Sequence, residues 1–142
     1  MKRLVLLLIL TSFCLTGLAQ APTGTQRIVL TTNYDSREAA MDALVEEILP
    51  MLNLTPCWIE HTYGLVNVED EQATTTLTRM MYYFKAYKDG SIEVSGKFLA
   101  YSIEKYPERI EMGGMRGSMK EKTFKEMEQL ALSIPHNEVF YK

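Results

Sequence analysis

The sequence predicts an α+β fold: an antiparallel sheet with two helices packed on one face, in the order β-α-β-β-β-α. Three observations predict it. Two segments repeat apolar residues at helical spacing, each behind a capping residue. Two long runs, Thr74 to Tyr87 and Ser91 to Ile103, read as strands around Lys88-Asp89-Gly90. The 142 residues are 46% hydrophobic and 23% charged, the mix of one globular domain rather than of a disordered or collagen-like chain.

Met1 to Ala19 reads as an export signal. Lys2 and Arg3 form a positive start, Leu4 to Leu10 is an unbroken apolar run, and Gly17-Leu18-Ala19 offers small residues to a signal peptidase. Ala19-Gln20-Ala21 is a second small-x-small option, but Pro22 would follow that cut. The apolar stretch is too short and interrupted for a comfortable membrane span. The expected mature form is therefore residues 20–142, a single α+β domain with no span, periplasmic or secreted. Phe13 is bulky where a lipoprotein signal has a small residue before its cysteine, so Cys14 is expected to leave with the signal.

Cleavage takes the 15 basic residues to 13 against 18 acidic, moving the net charge from −3 to −5. Nucleic acid and anionic lipid are not expected partners, since either needs a basic face. Cys57 is then alone, which excludes an intramolecular disulfide. Its neighbours Pro56 and Trp58 suggest a buried small hydrophobe.

Arg27-Ile28-Val29-Leu30-Thr31 predicts the first strand. Asp35 with Glu38 fits a capping box, opening a helix from about Ser36 to Met51. Ala40, Met41, Leu44, Ile48, Met51 and Leu52 form its buried stripe, and Pro50 is expected to kink or end it. Trp58 to Val68 reads as extended, with a bend or bulge at Gly64 and then an acidic turn at Glu69-Asp70-Glu71-Gln72.

The central hairpin fixes its own register. A two-residue turn at Asp89-Gly90 would set Glu93 opposite the apolar Ala86. A three-residue loop instead pairs Tyr87 with Ser91, Ala86 with Ile92, Phe84 with Val94, Tyr82 with Gly96 and Met80 with Phe98. Every apolar even position then meets another, Gly96 leaves room for the Tyr82 ring, and Lys85 faces Glu93. Gly90 suits the left-handed position of a type I turn with a G1 bulge.

Beyond the hairpin, Arg109 to Met112 reads as a short strand and Gly113 to Gly117 as a loop. Ser118 with Glu121 forms a second capping box. The helix it opens runs to about Ser133, with Phe124, Met127, Leu130, Ala131 and Ile134 facing the core. Val139-Phe140-Tyr141 either docks as a last strand or frays.

Familiar chemical motifs are absent. The glycines before the second helix lack both P-loop and dinucleotide-binding spacing. His61, Glu60 and the acidic turn match no zinc signature and no calcium loop. No Gly-x-Ser-x-Gly nucleophile occurs. The reading assigns no catalytic residue, no cofactor and no metal. The informative surface is the back of the hairpin, where the odd positions set Leu77, Arg79, Met81, Tyr83 and Tyr87 beside Ser95, Lys97, Leu99 and Tyr101. Tyrosine and methionine with a few charges are typical of partner surfaces. The candidate binding residues are Arg79, Met81, Tyr83, Tyr87, Lys97, Leu99 and Tyr101.

The signal ending in Leu18-Ala19-Gln20, the first strand, the helix from Ser36, the hairpin through Tyr82-Tyr83-Phe84-Lys85-Ala86-Tyr87-Lys88-Asp89-Gly90 and the closing helix resemble small secreted bacterial domains of unknown function with a TATA-binding-protein-like fold. The resemblance implies helices on a curved sheet and an envelope location. It brings no catalytic residues, and the fold label does not imply DNA binding.

The expectation is an exported, non-enzymatic binding or interaction module of the bacterial envelope. Its open aromatic face would take a protein or small-molecule partner, or a second copy in a homodimer. Two alternatives remain. One is a small hydrolase-like enzyme with a site near Cys57, His61 and the Gly113–Gly117 loop. The other is a structural subunit of an envelope assembly.

Overall fold

The structure, a computed structural model, describes residues 20–70, 78–100 and 106–142. The expected signal over 1–19, the Glu71-Gln72 part of the acidic turn, and the hairpin's outer ends at 74–77 and 101–103 lie outside the described residues.

The architecture is α+β, an antiparallel sheet with two helices on one face. Strand β1 (Arg27–Thr31) leads through a short turn to helix α1. That helix opens over Arg37–Ala43, passes through a π-helical turn at Leu44–Ile48 and closes over Leu49–Met51. Its cap is Ser36 rather than Asp35: Ser36 is extended, and its Oγ accepts from the Ala39 N–H at 3.2 Å.

The π turn sits just ahead of Pro50. Proline has no N–H to donate and its ring crowds the carbonyl four residues back, here Glu46. One extra residue in the turn accommodates both demands. It also rotates the last turn of the helix. Leu49 becomes fully buried, while Met51, expected in the core stripe, is 58% exposed.

The extended stretch after α1 is two strands, β2 (Pro56–Glu60) and β3 (Leu65–Asp70), which turn at Gly64. The bulge falls at Cys57, between the Pro56–Val68 and Trp58–Asn67 pairs. Strands β4 (Thr78–Ala86) and β5 (Ile92–Ala100) form the central hairpin in the predicted register, from Ala86 opposite Ile92 to Met80 opposite Phe98. The loop has the predicted three residues. Tyr87 N–H donates to the Ser91 carbonyl at 2.9 Å, and Gly90 has φ 82°.

The short strand β6 (Glu108–Arg109) arrives earlier than expected and holds only two residues. Helix α2 (Met119–Leu132) starts at Ser118, whose Oγ accepts from the Glu121 N–H at 3.3 Å. The Glu121 carboxylate reaches back to the N–H of Gly117, one residue before the cap. The C-terminal segment docks as β7 (Glu138–Tyr141) beside β1.

The strand order is β2-β3-β4-β5-β1-β7. Strand β5 meets β4 along one edge, while β1 and then β6 share its other edge. The even positions of the central strands, Met80, Phe84, Ile92 and Phe98 among them, join Met41, Leu44, Phe124 and Met127 in one core. Helix α1 lies over β4, and α2 lies over β5 and β1, so the other face is left to the odd positions.

Candidate functional site

Alternation along β4 and β5 places Arg79, Met81, Tyr83, Lys97 and Leu99 on the face away from both helices, with Tyr87 just past the end of β4. Tyr101 lies outside the described residues. The cross-strand pairs are Arg79 with Leu99, Met81 with Lys97 and Tyr83 with Ser95. Arg79 is engaged sideways by Glu69 of β3, the residue opposite Met81. The C-terminal strand extends the sheet rather than covering this face, and it adds Phe140, 46% exposed, opposite Val29. Trp58, 48% exposed, extends the apolar surface at the far edge opposite Asn67.

Burial is the main reason that the Tyr83 phenol is pushed above its ordinary range, with Cys57 and Glu69 reinforcing it. Burial also leads for Tyr87, ahead of its hydrogen bond to Glu93. Lys85 does stand opposite Glu93, but no ion pair joins them. Lys85 Nζ lies 5.0 Å from the centre of the Tyr87 ring. The Glu93 carboxylate accepts instead from Tyr87 at 2.8 Å and lies 3.7 Å from Arg27 of β1.

Gly96 positions the most unusual part of the face. Its register with Tyr82 is as expected, but the space on its core side belongs to another residue. A Cβ there would sit 2.7 Å from Ile110 Cδ1 and 3.4 Å from Met127 Sδ. Ile110 is fully buried, and its N–H donates to the Gly96 carbonyl at 2.9 Å. Because Ile110 points into the core, its neighbour Arg109 points to the open face, directly opposite Lys97.

Arg27, Lys97 and Arg109 surround a hollow of about 460 Å³, with Tyr83, Ser95, Gly96 and Gln26 completing its lining. The hollow contains three cations and no carboxylate. An acidic chain therefore presents a basic hollow, which the net charge of the sequence concealed. A second hollow of about 670 Å³ adjoins the hairpin loop, lined by Val29, Lys85, Tyr87 and Phe140 among others. Sequence reasoning missed Arg27 and Arg109. The alternation Arg27-Ile28-Val29 held the signal for the first, while the second depends on the remote contact between Ile110 and Gly96.

The Gly113–Gly117 loop is not brought to Cys57 and His61, which lie on and just after the edge strand β2. Cys57 is exposed on the edge strand rather than buried, because the bulge turns it outward, and its Sγ lies 3.2 Å from the Asn67 carbonyl. His61 is exposed in the turn after β2, and His136 Nδ1 lies 2.6 Å from the Ile134 carbonyl. The Gly113–Gly117 loop comes after β6, beyond β5. Three strand spacings separate β2 from β5, roughly 14 Å. Among the described residues, no three histidine, cysteine or carboxylate side chains could hold a metal ion. No described helix is long and apolar enough to cross a membrane.

No family model, curated protein or solved structure matches the chain.

Proposed function

We propose that this protein is an exported, non-enzymatic binding module of the cell envelope, and that it works through the open face of its sheet. One observation carries the reading: both helices pack on the even-numbered face, and among the described residues no element lies over the other, where Lys97 is exposed and Met81, Tyr83 and Leu99 are half-buried. A sheet face rich in aromatic and mixed polar groups, with a hollow of ligand size in it, has the character of a recognition surface. Export rests on Met1 to Ala19, and the envelope location on the same segment. The resemblance of the sequence to small secreted domains points to the same location.

Mapping by amide shifts tests this reading. The labelled protein is mixed with the large and small fractions of an envelope extract, and separately concentrated to expose self-association. The reading expects shifts on the open face and their loss in Tyr83→Ser/Tyr101→Ser with the melting temperature kept. An open face silent in every arm, or association untouched by the double change, overturns it.

A further inference from the structure

Lys97 and Arg109 oppose one another in the β5–β6 register, and both are exposed on the open face. Like charges directly opposite on neighbouring strands destabilise a sheet. Arg27 brings a third cation to the same edge, opposite Ser95 and two residues along β5 from Lys97. The two described carboxylates that approach this group each have another partner as well. Glu93 accepts from the Tyr87 hydroxyl and shares Arg27. Glu111 is held by Lys120 at 3.0 Å and by Gln26 at 3.1 Å. Arg109 spends one N–H on Gln26 Oε1 at 2.8 Å, and a guanidinium has five.

We infer that this hollow binds the phosphate group of a small phosphomonoester, with Lys97, Arg109 and Arg27 as its cationic clamp. The inference rests on the binding-module reading and names its ligand class. Charge balance favours a dianion. Among the described residues Lys97 has no carboxylate in an ion pair, Arg109 has only the nearby charge of Glu111, which Lys120 and Gln26 already hold, and Arg27 shares Glu93, while a phosphomonoester carries about −1.5 to −2 at neutral pH. Arginine forks suit phosphate oxygens, and lysine adds a point charge. Tyr83 and Ser95 line the same hollow and add polar and aromatic character beside the cations. The volume of about 460 Å³ falls in the range of small-molecule sites and is far too small for a folded partner.

The test titrates the purified chain with phenyl phosphate at low ionic strength, by calorimetry and amide shifts. Saturable binding is expected with a Kd on the order of 1 mM or tighter, with shifts at Tyr83, Ser95, Lys97 and Arg109. Lys97→Gln/Arg109→Gln should weaken it at least about tenfold, because two charge-assisted contacts are lost. Lys85→Gln, beside the neighbouring hollow, should keep the wild-type affinity. Benzenesulfonate, a monoanion of similar shape, should bind about fivefold more weakly or worse. Absence of saturable binding, affinity unchanged in the double variant, or equal binding of benzenesulfonate overturns the assignment. Envelope fractions that shift the open face while phenyl phosphate does not overturn the phosphate assignment alone. Silence of the face to the fractions and to phenyl phosphate together overturns the binding-module reading as well.

Discussion

The hydroxyl of Tyr87 donates a 2.8 Å hydrogen bond to Glu93, a residue only 8% exposed on the outer face of the sheet. A nearly buried carboxylate on an uncovered face needs partners, and the phenol is the nearer of two, with Arg27 at 3.7 Å. Tyr87→Phe removes that donor and should cost about 1 kcal/mol, the usual worth of one such bond at a half-buried site. The sign with pH is set by the phenol, which burial and Glu93 hold above its ordinary value of 10.0. Its contribution is full below pH 10 and lost as pH rises through the higher folded value. Chemical denaturation of wild type and Tyr87→Phe at pH 7 checks the difference, and equal midpoints would refute it.

Gly90 closes the central hairpin at φ 82°, where an L side chain is strained. A Cβ at this position would also run into the backbone carbonyl of Tyr34, which cannot swing aside as a side-chain tip could. Gly90→Ala should therefore destabilise by about 3 kcal/mol, the upper end for a residue forced into an unfavourable backbone region. Thermal unfolding measures it. A loss below about 1 kcal/mol would mean that the loop has a cheap alternative turn.

The π turn in α1 makes a sharp distinction between two neighbouring side chains. Leu49 is fully buried and Met51 is 58% exposed. Leu49→Ala should cost about 2–5 kcal/mol, while Met51→Ala should stay within about 0.5 kcal/mol. The uninterrupted α-helical stripe read from the sequence predicts a large loss at Met51, so the pair of variants decides between the two registers.

The range of each interaction decided whether the sequence revealed it. The β4–β5 register was legible because period-2 alternation and a glycine turn act over a few residues, and a one-residue slip would turn Glu93 from the outer face into the apolar core. The helices were legible for the same reason, through Ser118 and the apolar spacing behind it. The cap at Ser36 was missed by one position because Asp35 satisfies the same local pattern. The π turn was missed because Pro50 announces a disturbance but not how the backbone absorbs it. The placement of Arg109 was not legible at all. It depends on Ile110 filling the space over Gly96, a contact that no local spacing announces. The exposure of Cys57 likewise depends on a bulge set by its pairing with β3.

The Tyr141 hydroxyl fastens the last strand to the second helix, and its pH response should show this. It donates to Glu128 Oε1 at 2.7 Å. Burial, then the bond to Glu128 and the nearby carboxylate charge, push the phenol up to about 12 from an unfolded value of 10.0. Between those values the folded chain retains a proton that the unfolded chain has released, so stability falls as pH rises from 10 to 12 and is unaffected by this group below 10. Tyr141→Phe cannot release that proton. Its stability should start about 1 kcal/mol lower at pH 7 for the lost hydrogen bond. It should then fall less steeply through the alkaline window than the wild type does. Denaturation midpoints from pH 8 to pH 12, with amide exchange at Val139 to Tyr141, check both. An identical alkaline slope in the two proteins would show that Tyr141 does not tie β7 to α2.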